Sequence, residues 1–205
     1  MNEGYSLGLA LFDFVPNIAF LVGAYFLVRL VLMERGSKCG RLAMAGTLLI
    51  FLGGTLKATW KLLYSTTGAD IRLLSEIQFV LLAPGFLAML VAILLMARKQ
   101  RESGKLPLLA IAPWKIPLLA VMTICSIGAQ GVLTYIAFRR SARLAGMLFA
   151  IAVLCTFGMG GMASGEQTVA KQWIEESINS VGQISFAVGS YLLYRNFRTR
   201  QNEPC

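Results

Sequence analysis

Histidine is absent from this chain of 205 residues. That removes the usual protein ligand of b-type haem, chlorophyll and zinc, together with the commonest general base. Cysteine is sparse, and Cys39, Cys125, Cys155 and Cys205 show no CxxC or other close spacing, so neither a disulfide framework nor a metal site follows. There is no HExxH, no nucleophile elbow, no acidic cluster with metal-ligand spacing and no P-loop. No cofactor is expected. Charge is scarce as well: Asp, Glu, Lys and Arg make up 14% of residues against 57% hydrophobic, and they fall between long apolar runs. That is the composition of a membrane protein, not of a soluble domain.

Apolar runs of about 20 residues, the length a hydrocarbon core of roughly 30 Å demands, occur six times. They cover Leu7 to Met33, Arg41 to Tyr64, Leu73 to Met96, Ile116 to Phe138, Leu144 to Met162 and Trp173 to Tyr194. The expected fold is all-α, a polytopic integral membrane protein with about six transmembrane helices and no extramembrane module. A bacterial inner (plasma) membrane is the expected host. Only Met1, Asn2 and Glu3 precede the first run, with no basic n-region, which predicts that the first helix is retained.

The formal charge of +9 is carried by basic residues that flank the apolar runs, which points to phospholipid headgroups as the counter-charge and away from nucleic acid. Clusters stand after the first run (Arg35, Lys38, Arg41), the third (Arg98, Lys99, Arg101, Lys105), the fourth (Arg139, Arg140, Arg143) and the sixth (Arg195, Arg198, Arg200). Six crossings put the first two clusters on one side and the last two on the other. The positive-inside rule then gives a divided vote, tilted by Lys115 and Lys171 toward the side of the first and third loops, with both chain ends outside. A short re-entrant or interfacial piece is expected at Leu106 to Trp114, broken by Pro107 and Pro113.

Internal similarity offers one explanation of that division. VPNIAF from Val15 resembles IPLLAV from Ile116, and RLA at Arg41 recurs at Arg143; Glu76, Phe86 and Arg98 align with Glu176, Phe186 and Arg198. Two halves of three spans each, 1–105 and 106–205, would emerge with inverted topology and place basic clusters on both sides. Chance similarity between apolar helices is the competing explanation.

The last run opens with WIEESINSVGQISF, in which Glu175, Asn179, Gly182, Gln183 and Phe186 recur at helical spacing on one face. Asn179 and Gln183 lie roughly 9 and 15 Å beyond Trp173, too deep to face lipid with unsatisfied amides, so that face is an inward one. With Gln130 they are the expected lining of a substrate path, with Glu175 and Glu176 near the headgroup plane. Interhelical hydrogen bonding is the bland alternative. The second run ends with Lys57 and Lys61 on one face, and an unpaired buried ammonium is disfavoured, so a charged cluster of Asp13, Lys57, Lys61 and Glu76 is expected. GMGG at Gly158 to Gly161 reads as a close helix contact.

Three functions fit these features. The leading one is a small transporter or channel-like protein whose path runs between the two halves, acting alone or as a homodimer. The second is a membrane-embedded enzyme acting on a lipid or isoprenoid, with Glu175 or Glu176 as acid or base. The third is an accessory or sensor subunit whose polar face binds another membrane protein.

Overall fold

The computed structural model describes residues 6–98, 116–162 and 168–201. Its elements are helices: α1 (Leu7–Phe12), α2 (Phe14–Thr67), α3 (Arg72–Arg98), α4 (Ile116–Arg139), α5 (Arg143–Met162) and α6 (Val169–Gln201). Among the described residues, four helical stretches are long and apolar enough to cross a membrane: Leu7–Thr67, Arg72–Ala97, Ala120–Arg139 and Arg143–Met162. Helices satisfy every backbone group internally, which is what a hydrocarbon solvent requires. Their outward faces are correspondingly apolar, with Ile18, Ile124 and Leu154 each at least 60% exposed.

A straight helix of 54 residues would be about 80 Å long, well over twice the hydrocarbon thickness. Instead α2 folds back at Gly36, whose φ of 73° and ψ of −171° are the one non-helical pair within it. Only glycine adopts that conformation cheaply, and a Cβ there would meet nothing within 4 Å, so the requirement is for the backbone angle and not for space. The two arms, 14–35 and 37–67, then run antiparallel: a Cβ at Gly40 would strike Leu32, and one at Gly54 would strike Asn17.

Side-chain contacts fix the remaining directions. The second arm is antiparallel to α3, with Gly46 against Gly85 and Met89, and Gly53 against Leu82 and Gln78. Gly182 meets Cys155 and Gly189 meets Phe149, so α5 and α6 are antiparallel; Phe138 at Gly146 and Gln130 at Thr156 make α4 and α5 antiparallel too. Finally α6 runs parallel to the first arm, through Phe12 with Trp173, Phe20 with Phe186 and Phe26 with Tyr191 and Tyr194. Each helix packs on its chain neighbour and α6 closes on α2.

These directions correct the expected inversion. The first arm, the second arm and α3 run up, down, up; α4, α5 and α6 do the same. The aligned pairs Arg41 and Arg143, and Glu76 and Glu176, therefore lie at the same end of the bundle, as do the ends of α3 and α6. Any relation between the triplets is a parallel one. The divided positive-inside vote disappears with it: Arg35, Lys38, Arg41, Arg139, Arg140, Arg143, Arg195, Arg198 and Arg200 share one end, where Glu34 is the sole acidic residue among those described. Contacts of Arg200 with the Arg140 carbonyl (3.1 Å) and of Arg140 with the Phe197 ring (4.4 Å) bring two of the clusters together. The opposite end is mixed in charge, with Asp13, Asp70, Glu76, Glu175 and Glu176 beside Lys57, Lys61, Arg72 and Lys171. Arg98 closes α3 at the basic end and Ile116 opens α4 at the mixed end. The piece expected at Leu106 to Trp114, and Lys115, lie outside the described residues.

The core is densest toward the basic end, where Leu27, Leu30, Ile93, Leu133, Phe149 and Leu193 are fully buried. Close backbone approach between the second arm and α3 rests on Gly46 and Gly85, since a Cβ at either would lie 2.8 Å from its neighbour. Gly182 and Gly189 serve α5 and α6 in the same way. Gly160 and Gly161 of GMGG do not: both are exposed and have nothing within 4 Å of a built Cβ, which corrects the expected contact there.

Single cysteines introduced by Ser37→Cys and Ser141→Cys in a chain lacking native cysteines are expected to react with a membrane-impermeant maleimide from the same side of the membrane, and Ala69→Cys from the other. Labelling of Ser37→Cys and Ser141→Cys from opposite sides of intact cells would restore the inverted arrangement.

Candidate functional site

Two groups of polar side chains lie in the half of the bundle nearer the mixed end. The first is an ion cluster. Lys61, 4% exposed near the end of the second arm, places its Nζ 2.6 Å from Glu176 Oε1 on α6 and 3.1 Å from Asp13 Oδ2 at the junction of α1 and α2. Lys57, one turn back on the same face and more exposed, reaches Glu176 Oε1 at 3.7 Å. Asp13 and Glu176 are each 3% exposed. Two carboxylates and two ammonium groups thus balance, and one ammonium ties three helical segments together.

Three of the four residues expected in the charged cluster meet there. The fourth does not: the carboxylate is Glu176 instead of Glu76, which sits at an exposed position in the first turns of α3. The correction follows from helix direction, because a parallel α6 brings the start of that helix to the Asp13 end. Aromatic side chains ring this level. Phe12 packs on Trp173 with centroids 5.6 Å apart, and Trp60 stacks near Tyr64 at 6.1 Å, as expected of residues at a membrane interface. Just beyond them, Gly68 at φ 72° ends α2 by donating its N–H to the Tyr64 carbonyl. In the following turn Asp70 accepts from Arg72 and from Trp60 Nε1, both at 3.1 Å, and these bonds hold its carboxyl below the ordinary value.

The second group lines a partly open cavity of about 160 Å³ among α3, α4, α5 and α6. Gln130, Asn179 and Gln183, expected from sequence to share a polar path, all line it, together with Thr156, Ser126 and Phe86. Gln130 is 8% exposed. Its Nε2 donates to Ser126 Oγ at 3.0 Å and to Thr156 Oγ1 at 3.4 Å. Because the Thr156 hydroxyl donates to the Ala152 carbonyl, its oxygen can only accept from Gln130, which fixes the amide with Nε2 toward the helices. Among the described residues Gln130 Oε1 is left buried with no hydrogen-bond partner.

Asn179 and Gln183 are one and two turns beyond Glu176, so α6 carries both groups, roughly 5 and 10 Å apart along its axis. Glu175, expected beside the path, is partly buried and lines no part of the cavity. Sequence reasoning missed Ser126, Thr156 and Phe86. Hydroxyls in apolar helices usually back-bond to their own helix, as Thr156 does, so only the cavity marks them. Among the described residues no group of three or more His, Cys, Asp or Glu side chains is arranged to hold a metal ion. No family model matches the chain, and neither a curated protein nor a solved structure is similar to it.

Removing one partner from a buried ion pair costs about 3–5 kcal/mol, whereas a pair with an exposed member is worth about 1 kcal/mol or less. Lys61→Ala is therefore expected to lower stability by about 3 kcal/mol or more and Lys57→Ala by about 1 kcal/mol or less, read from unfolding of the purified protein. Combining Lys61→Met with Asp13→Asn and Glu176→Gln should recover most of the loss, since no buried charge then lacks a partner.

Proposed function

We propose that this chain is a small transporter or channel-like membrane protein whose substrate site is the cavity at Gln130, Asn179 and Gln183. One observation carries the reading: three amides from two helices converge on a single cavity in an otherwise apolar bundle, and one of them keeps a buried acceptor unpaired. Amides that served only to hold helices together would spend their hydrogen bonds on each other. The described lining residues include no charged side chain, and an unpaired charge is expensive at this depth, so the transported solute is uncharged.

In this reading the arms of α2, with α3, α4, α5 and α6, cross the bilayer six times. The basic end faces the cytoplasmic leaflet, where anionic lipids attract Lys and Arg, and the mixed end faces outward. The tight packing of the basic half closes the inner side, and the Lys61 cluster stands at the outer mouth. The lipid-enzyme reading gains nothing from the geometry, because Glu176 is 3% exposed and held by Lys61, and neither Glu175 nor Glu176 lines the cavity.

The test is solute-driven re-swelling of proteoliposomes after osmotic shrinkage, with urea, acetamide and glycerol. The protein is expected to accelerate re-swelling with at least one of them, and Gln183→Leu or Gln130→Leu to abolish the acceleration while expression and thermal unfolding stay near those of the parent. If Gln183→Leu lowers thermal stability and leaves re-swelling unchanged, the amides serve helix packing and the proposal fails.

A further inference from the structure

Every ion pair among the described residues lies at the mixed end of the bundle, joining Lys57 and Lys61 to Asp13 and Glu176, and Arg72 to Asp70. The basic end is the opposite case. It gathers Arg and Lys side chains from the α2 turn, the α4–α5 turn and the end of α6, and among the described residues none of them is in an ion pair. The positive-inside tendency accounts for the sign of that charge and not for its arrangement.

At one corner the arrangement is fixed. Ser141, at a φ of 58°, takes the left-handed conformation that closes α4, and α5 begins two residues later, so Arg139, Arg140 and Arg143 stand about one tight turn. The Arg140 guanidinium lies 4.4 Å over the buried Phe197 ring of α6, and Arg200 of the same helix donates from Nη2 to the Arg140 carbonyl at 3.1 Å. Two guanidinium groups from helices distant in sequence are thereby held at one turn. No further hydrogen bond joins either guanidinium to a described residue. Adjoining the same turn on α4 and α5, the apolar side chains of Phe138, Leu144 and Met147 are exposed.

Guanidinium groups without carboxylates suit phosphate, which they bind through paired N–H groups, and apolar surface next to them suits acyl chains. We infer that the corner made by the α4–α5 turn and the end of α6 binds an anionic lipid whose headgroup carries two phosphates, with Arg140, Arg143 and Arg200 receiving the phosphates and acyl chains lying along Phe138, Leu144 and Met147. A single phosphate engages one or two of these guanidinium groups and leaves the third unmatched. Two linked phosphates engage all three, and the linkage makes the second contact intramolecular. A soluble polyanion has nothing to place on the apolar side chains. The inference rests on the reading of the basic end as a bilayer face and makes no use of the transported solute.

The purified full chain, stripped of lipid in a non-ionic detergent, is titrated with diphosphatidylglycerol, phosphatidylglycerol or inorganic pyrophosphate at matched phosphate concentration while its Tm is followed. Diphosphatidylglycerol is expected to reach its half-maximal rise in Tm at about one tenth of the phosphate concentration that phosphatidylglycerol requires, or less, and pyrophosphate to leave the Tm unchanged. Arg140→Gln and Arg200→Gln should each bring the two lipids to within about threefold of one another. Lys38→Gln removes the same charge from the α2 turn and should weaken both lipids alike, keeping the gap between them. Arg200 is exposed in the last turn of α6, so its variant gives the reading if Arg140→Gln does not fold.

Equal response to the two lipids would mean a diffuse field of the whole basic end and would overturn the site. So would no response to either lipid, a gap that survives Arg200→Gln, or a rise with pyrophosphate equal to that with lipid, which would make the ligand a soluble polyanion. Flux in the swelling assay without a lipid preference removes this site and leaves transport; a lipid preference without flux does the reverse.

Discussion

A single ammonium group sets the arrangement on which the rest depends. Lys61 is buried where water cannot solvate it, so its charge is tolerable only with carboxylates in direct contact, and the two that reach it come from Asp13 and Glu176. Asp13 stands at the start of the first arm and Glu176 near the start of α6. Satisfying both at one point obliges those segments to run in the same direction. From that constraint follow the parallel stacking of Phe20 on Phe186, the position of Phe26 against Tyr191, and the gathering of the arginines after α4 and α6 with those at the α2 turn.

The bundle is divided across its length by what each half must bury. Toward the basic end the interior is mostly aliphatic and aromatic, with Thr47 and Ser190 as buried hydroxyls, and glycines at 46, 85 and 189 let backbones approach closely, so dispersion and shape hold it together. Toward the mixed end the interior holds Lys61, Glu176, Gln130 and Ser180, which need partners more than they need density. A polar site placed in the first half would have nothing to pair with. Placed in the second, it sits within two helical turns of a charge cluster and beside space that packing leaves unfilled.

Much of this was readable from residue types and spacing. Apolar runs of bilayer length coincide with the four stretches long and apolar enough to cross a membrane, and the spacing of Asn179 and Gln183 marked the face of α6 that lines the cavity. The pairing of Asp13 with Lys57 and Lys61 followed from proximity at helix ends. The choice of Glu176 over Glu76 did not, because it depends on helix direction, and direction depends on how many times the chain changes sides between Arg98 and Ile116, which local pattern does not encode. The same parity decided between inverted and parallel triplets. Gly36 was invisible for another reason: ERGSKCGR reads as a polar loop, and a turn made by one left-handed residue between two continuous helices leaves no composition signal.

The shared direction of the two triplets bears on how such a chain enters a membrane. In an inverted pair the second half must be threaded against the preference that placed the first. Here the charge instruction is the same at each return to the basic end: after the first arm, at the end of α3, after α4 and at the end of α6. With the basic end on the cytoplasmic face, as proposed, each hairpin would receive its orientation locally, from its own flanking arginines and lysines.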